Sequence, residues 1–318
     1  MHRESIVIVT PALQQANNGN WQTARRWAAM LRPAYRIRLA SQWTHGDEAL
    51  MIALHARRSA ASVASWREAH PQHPLLLTLT GTDLYRDIDT DAGAQLALQL
   101  ADTLVVLNAL GSERLPLELR AKCRVLLQSC ASRRTPPKTR RHLRDEKDPR
   151  TYWRAAQRLA SRADIRFDHI GAALDPVLGA EAASLAAVQP NYRWHGALPH
   201  AATRRRIQNA HVLVHPSRME GGAHVVIEAM RSGTPVLASR IDGNVGLLGE
   251  DYPGVFDVGD DAALAMLLQR TRDDPDMLDD LRRHIAMRAP LFAPEAERRA
   301  LHGLVAALLA RQSPGLPP

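Results

Sequence analysis

The sequence predicts an α/β protein made of two doubly wound domains, each built on a parallel sheet. Three observations carry this. Short apolar runs alternate with helical patterns along all 318 residues, and strands separated by helices of this length require right-handed crossovers between parallel neighbours. The length exceeds what one hydrophobic core usually supports, so two domains of about 150 residues are expected. A strongly basic stretch at 132–149 (SRRTPPKTRRHLRDEKDP) interrupts the alternation, with Pro136 and Pro137 breaking any regular element and Leu143 its only large apolar residue.

Taken in order, 5–10 (SIVIVT) reads as a buried strand, 23–31 as a helix and 36–40 as a strand. Residues 50–54 read as a strand and 59–69 as a helix. Residues 75–80 (LLLTLT) are the clearest strand of this half; a helix follows at 92–101, then strands at 103–107 and 124–128. Beyond the basic stretch, strands are predicted at 165–170, 192–194, 212–215, 235–239 and 255–258, with helices between them. A closing helix runs over about 294–311, and SPGLPP reads as a frayed tail. No repeat of fixed period is present. The expected division is 1–132, a linker at 133–149, a second domain at 150–295, and a terminal helix and tail at 296–318.

Composition narrows the function classes. Apolar residues make up 45 % and aromatic residues only 4 %, so the cores must be built from Ala, Leu, Val and Ile. The net charge of +8 suits nucleic acid, anionic lipid or phosphorylated small molecules as partners. Arginines are interspersed with acids, and base-stacking aromatics do not accompany them, so nucleic acid is not expected. No run approaches the roughly 18 apolar residues of a membrane span, and the start reads as a strand entering a loop rather than a signal peptide. Cys123 and Cys130, the only two cysteines, form no disulfide framework, zinc quartet or redox pair. A reducing, cytoplasmic setting is expected.

The densest chemistry lies at 215–239 (HPSRMEGGAHVVIEAMRSGTPVLAS), which reads strand, loop, helix, glycine turn, strand. A helix N-terminus offers unpaired N–H groups and partial positive charge. Gly221 and Gly222 would let a diphosphate approach the backbone there. Glu228, one turn into the helix, can accept from the vicinal hydroxyls of a ribose, and Glu220 in the loop can face a sugar. Two plainer readings stay open: Glu220 as a mere complement to the helix dipole, and Glu228 as a solvent-facing helix residue. In open parallel sheets, ligands bind outside the carboxyl ends of strands, so a cleft between two such sheets is the default site.

The spacing from Glu220 to Glu228 resembles the E-x7-E pattern of family 4 glycosyltransferases. Residues 80–87 (TGTDLYRD), 54–59 (LHARRS), 217–222 (SRMEGG) and 238–254 (ASRIDGNVGLLGEDYPG) together resemble the selenosugar synthases of selenoneine biosynthesis. This resemblance implies a GT-B fold of two Rossmann-like domains facing a cleft, with the C-terminal helix packing back towards the N-terminal domain. It implies transfer of a sugar from a UDP-sugar, UDP-N-acetylglucosamine or UDP-glucose, to selenophosphate. By the same resemblance, Glu228 would hold the ribose, Glu220 the donor sugar, and Gly221, Gly222 and Ala223 the diphosphate. Lys147 stands where family 4 places a phosphate-binding Lys. The usual Arg five residues earlier is His142 here, with Arg144 as a substitute. Gly243, Asn244, Val245 and Gly246 match a loop bordering the sugar. Gly19 and Asn20 match a loop facing the donor phosphates and acceptor, and Thr80, Gly81, Thr82 and Asp83 match the wall of the acceptor pocket. A multiply anionic acceptor calls for cations, preferably Arg; Arg57, Arg58 and Arg86 adjoin strand ends on the expected side.

One departure stands out. In the family, a buried strand ending in Gly-His precedes LRDEKDP, whereas here Lys138-Thr139-Arg140-Arg141 runs straight into His142. The apolar strand is absent, and its neighbours are expected to lose backbone partners. The alternatives are a conventional family 4 enzyme with a hydroxyl acceptor, or an inactive UDP-sugar-binding relative. Asp87, Asp89 and Asp91 read as a polar loop capping the helix at Ala92 rather than a metal site. The 14 histidines show no zinc pattern, His55 and His169 read as core or strand-end residues, and no G-x-S-x-G supports a hydrolase. No metal and no other cofactor is expected.

Overall fold

The structure, a computed structural model, describes residues 3–11, 19–132, 142–143 and 145–311, with the backbone alone at 142, 143 and 145. The described residues fall into two compact units. The first takes those of Met1–Ser129, Glu220–Gly222 and Pro294–Pro318; the second takes those of Cys130–Met219 and Ala223–Ala293.

The first unit contains β1 (Ser5–Val9), α1 (Gly19–Leu31), β2 (Arg36–Ala40), β3 (Leu50–Leu54), α2 (Ala56–Ala69), β4 (Leu75–Leu79), a π-helical turn at Asp83–Asp87, α3 (Ile88–Thr90), α4 (Ala92–Leu100), β5 (Thr103–Val106), α5 (Leu117–Arg120) and β6 (Cys123–Val125). All six strands are parallel, in the order β2-β1-β3-β4-β5-β6. The strand sequences explain why the sheet is covered on both sides. Val7, Val9, Met51, Ala53, Leu75, Leu77 and Leu79 pack with α2 and α4. The alternate residues Ile6, Ile8, Leu50, Ile52, Leu54 and Leu76 pack with α1 and the terminal helix. Uninterrupted apolar strands are what a parallel sheet with helices on both faces requires. Because β1 lies between β2 and β3, the chain leaves β1 first to one side and then to the other. The carboxyl ends of β1 and β3 therefore form the switch point where such sheets bind ligands.

In the second unit β7 (His142–Leu143) is followed by α6 (Pro149–Arg158), β8 (Phe167–His169), β9 (Ala172–Ala173), α7 (Pro176–Val188), β10 (Tyr192–Trp194), α8 (His200–Asn209), β11 (Leu213–His215), α9 (His224–Met230), β12 (Val236–Ser239), α10 (Asp242–Leu248), β13 (Val255–Phe256), α11 (Asp261–Asp273) and α12 (Pro275–Arg288). The chain ends in α13 (Pro294–Ala310), which is part of the first unit. Among the described residues the second unit's strands form three separate parallel sets, β11-β12-β13, β10-β8 and β7-β9. The expected strand loss falls on 133–141, outside the described residues. His142 and Leu143, just after them, pair with Ala172 and Ala173, two short strands that the sequence pattern did not announce. Among the described residues no helix is long and apolar enough to cross a membrane.

A partly buried imidazole supports β8. His169 Nδ1 lies 3.0 Å from Trp153 Nε1 and 2.8 Å from the Tyr192 hydroxyl, so it serves as an acceptor in a neutral ring. Burial pushes its pKa down to about 4. Between that value and the unfolded value of about 6.5, the unfolded chain takes up a proton that the folded chain refuses. The stability this group contributes is complete above the unfolded pKa and falls as pH drops towards the folded one. The urea midpoint is expected to fall more between about pH 7 and about pH 5 in the wild type than in His169→Gln. Equal losses would assign the acid sensitivity elsewhere.

Candidate functional site

The segment singled out in the sequence folds as β11, a loop at 216–223, α9 and β12. Gly233 takes φ +74 just after the helix, as a helix stop should. Glu228 sits in α9 and is buried, at 4 % exposure. Its Oε1 lies 2.5 Å from His200 Nε2 on α8 and 3.4 Å from His224 Nδ1, one turn earlier on α9. The carboxylate is therefore a fixed, internal acceptor and not a solvent-facing residue. At seven residues, α9 has few aligned peptide dipoles, so its N-terminus lends less positive charge than the sequence reading assigned to it.

Glu220, Gly221 and Gly222 group with the first unit, and the packing there gives a second reason for the glycines. A Cβ on Gly221 would lie 2.4 Å from Thr80 O and 2.7 Å from Gly81 N, and one on Gly222 would lie 2.9 Å from Leu107 Cβ. The Gly221 carbonyl accepts from Asn108 Nδ2 at 2.7 Å. Missing side chains are needed here because chain passes against chain beyond β4 and β5. Gly221→Ala is expected to cost about 1–3 kcal/mol through forced backbone displacement, read as a lowered thermal midpoint. An unchanged midpoint would show that the loop yields freely.

Lys147 closes a 3-10 turn, Asp145–Lys147. The Arg218 amide donates to Glu146 O at 2.9 Å, and the Arg218 guanidinium lies 3.3 Å from Asp148 Oδ2. Asp148 itself is buried with φ +42 and accepts from the Thr151 hydroxyl at 2.8 Å. These bonds join the Lys147 turn to the loop that leads to Glu220. They also add Arg218, half exposed, as a second cation beside it. Arg144 and the His142 side chain lie outside the described residues. Gly243, Asn244, Val245 and Gly246 do not form a loop; they are helical, in α10. The Asn244 amide is used internally, with Oδ1 2.9 Å from His215 Nδ1 and Nδ2 donating to Ser239 O at 2.9 Å. It locks β11 to the end of β12.

At the end of the first sheet, Gly19 and Asn20 are likewise helical, opening α1, and not a loop. Asp83 is fully buried. Its carboxylate accepts from the amides of Ala56 (2.9 Å), Thr80 (2.9 Å) and Gly81 (2.8 Å). That removes it from the wall of a pocket and makes it the brace of the β4 turn. Thr80 and Thr82 remain partly exposed there. The three arginines separate. Arg57 pairs with Asp87 (3.6 Å) and Asp91 (3.1 Å), and Arg86 pairs with Asp87 (3.1 Å). Arg58 is exposed, and its guanidinium has no ion pair among the described residues. It is the cation most available to an anionic ligand. Asp91 caps α4 by accepting from Ala94 N at 2.8 Å, as the sequence pattern suggested.

Sequence reasoning missed His200, Arg218, Asp148 and the role of His55. His200 and Glu228 are 28 positions apart, a separation with no local signature. The His224–Glu228 spacing of four was legible in principle. Among the described residues no group of three or more His, Cys, Asp or Glu side chains gathers as a metal site.

Residues 141–289 match the family described as Glycosyl transferases group 1. No curated protein matches the chain. Three solved structures are similar. HepE of Anabaena, in complex with UDP and glucose, has a TM-score of 0.73 at 12 % identity, over 96 % of this chain and 100 % of its own. Sucrose-phosphate synthase from Thermosynechococcus elongatus has a TM-score of 0.69 at 16 % identity, over 97 % and 100 %. The pneumococcal O-GlcNAc transferase GtfA, in complex with UDP and GlcNAc, has a TM-score of 0.63 at 16 % identity, over 82 % and 57 %. At such identities the likeness establishes the fold. The chain thus has the GT-B fold, and its residues 141–289 match the glycosyltransferase group 1 family.

Proposed function

We propose that this chain transfers a sugar from a UDP-sugar, UDP-N-acetylglucosamine or UDP-glucose, to selenophosphate. The observation that carries the donor half is Glu228, a buried carboxylate fixed by His200 and His224 inside the segment that matches group 1 glycosyltransferases. An acceptor held in place before the ligand arrives loses little entropy on binding ribose hydroxyls. Structures of similar fold hold UDP and UDP-glucose, which supports a uridine nucleotide here. Lys147 and Arg218 meet the diphosphate's charge without a metal ion, and Arg144 is the further cation that the resemblance names. On the first unit, Arg58 and the hydroxyls of Thr80 and Thr82 suit a small oxyanion.

In the reaction, a selenium lone pair forms the C–Se bond at the sugar's anomeric carbon. The bond from that carbon to the UDP oxygen breaks, and its electron pair leaves with UDP. The charge developing on UDP is met by the cations of the donor side. The selenophosphate acceptor rests on the resemblance of 54–59, 80–87 and 217–222 to selenosugar synthases. Incubation with UDP-N-acetylglucosamine or UDP-glucose plus selenophosphate, read by mass spectrometry, tests it. A selenium-containing sugar phosphate, or the selenosugar left after phosphate loss, is expected. UDP released only to water, or a product formed only with a hydroxyl acceptor, would overturn it.

A further inference from the structure

His55 occupies the switch point of the first sheet, directly after β3, and glycosyl transfer as described above leaves it unused. It is 3 % exposed, with φ +74 and ψ 103. A residue with a Cβ keeps such a backbone only when its surroundings over-determine it. They do. The His55 amide donates to Thr78 O at 2.8 Å, its carbonyl accepts from Ser59 N at 3.0 Å, and the next amide, Ala56, is held by Asp83.

The strained backbone aims the ring. Nδ1 accepts from the Arg58 amide at 3.4 Å, and Nε2 lies 3.1 Å from Thr82 Oγ1. An amide N–H only donates, so Nδ1 carries the lone pair and the proton of the neutral ring is on Nε2. That proton goes to Thr82 Oγ1. The threonine oxygen is thereby an acceptor, and its own hydrogen must be donated elsewhere. Among the described residues Thr82 Oγ1 has no second partner, and Thr82 is partly exposed. Burial lowers the pKa of His55, Asp83 opposes this, Arg58 adds to it and Asp87 opposes it; the net direction is down, towards the neutral ring. Exposed and without an ion pair among the described residues, Arg58 stands on the same first turn of α2.

We propose that His55 is a positioning residue that makes Thr82 a dedicated hydrogen-bond donor to an oxyanion of phosphate type, with Arg58 supplying the charge. This rests on reading the first sheet's end as the acceptor side, and it gives a role to His55, which lies in the 54–59 motif but to which the resemblance assigns none.

Calorimetric titration of the full chain with thiophosphate and with inorganic phosphate tests it. Thr82→Val is expected to weaken binding of both anions about tenfold, the worth of one hydrogen bond to a charged group. Thr82→Ser is expected to retain it, and UDP affinity is expected to stay unchanged in both. His55→Gly, which φ +74 favours, is expected to fold and to show the same loss as Thr82→Val. Two-bond proton–nitrogen NMR correlations are expected to place the His55 proton on Nε2. Anion binding unaffected by Thr82→Val, no rescue by Ser, no anion binding by the wild type, or a proton on Nδ1 would each overturn the proposal. Anion binding that behaves as expected while no selenosugar forms would uphold this site and remove only the selenium reading.

Discussion

Glu228→Ala is expected to weaken UDP binding about 10- to 100-fold and to lower the thermal midpoint at the same time, because a hydrogen bond to a charged group contributes about 1.5–3 kcal/mol. Both effects follow from one position. The carboxylate is 4 % exposed and its Oε1 is 2.5 Å from His200 Nε2, so removing it leaves a buried imidazole donor without its acceptor. The same carboxylate is the group proposed to accept from the ribose. Glu228→Gln separates the two. Its amide oxygen still accepts from His200, so more stability is retained than in Glu228→Ala. A neutral acceptor holds hydroxyls about half as strongly as a charged one, so UDP affinity still falls. Calorimetric titration with UDP beside thermal denaturation reads both. If Glu228→Ala lowers the midpoint and leaves UDP affinity intact, Glu228 is a packing residue between α8 and α9, and the donor half of the proposed function falls.

The inner strands of the first sheet were legible because burial on both faces leaves them almost no polar positions. The runs at 36–40 and 50–54 became β2 and β3 residue for residue, and 75–80 became β4 short by one. The second unit's described strands are four residues at most and carry polar side chains, so 165–170 overran β8, Phe167–His169, although 192–194 became β10 residue for residue. The two-residue pair β7 and β9 has no periodicity to read. Within the site, the positions of Glu220 and Glu228 were visible because their spacing is fixed by one loop and one helix. The packing reason for Gly221 and Gly222 was not, since the close approach of Thr80 and Leu107 joins segments about 140 and 115 residues away. Asp83 is the same lesson in reverse. A carboxylate beside Thr-Gly-Thr reads as a pocket wall until three amides are found to converge on it. His55 was set aside because nothing in a sequence shows that a histidine will be held at positive φ.

Glu297→Ala is expected to cost about 3–5 kcal/mol, as removal of one partner from a buried ion pair does, and on the order of 10 °C in the thermal midpoint. Glu297, in the first turn of α13, is 1 % exposed. Its Oε1 accepts from Trp27 Nε1 at 2.7 Å and Arg26 Nη2 at 3.0 Å. Its Oε2 accepts from Arg26 Nε at 2.9 Å, Ser129 N at 2.8 Å and the Ser129 hydroxyl. The substitution would strand a guanidinium, an indole N–H and a backbone amide together. Ser129 is the last residue before the chain first leaves the first unit, and Pro294 the first of its final return. One carboxylate therefore pins both chain passages to α1. Glu297→Gln keeps an acceptor oxygen and turns an NH2 group towards donors, so its loss is expected to be smaller but still well beyond that of a surface substitution, which is usually within about 0.5 kcal/mol. A Glu297→Ala midpoint within that surface range would show that α13 is held by its apolar face alone, through Leu301, Val305, Leu308 and Leu309.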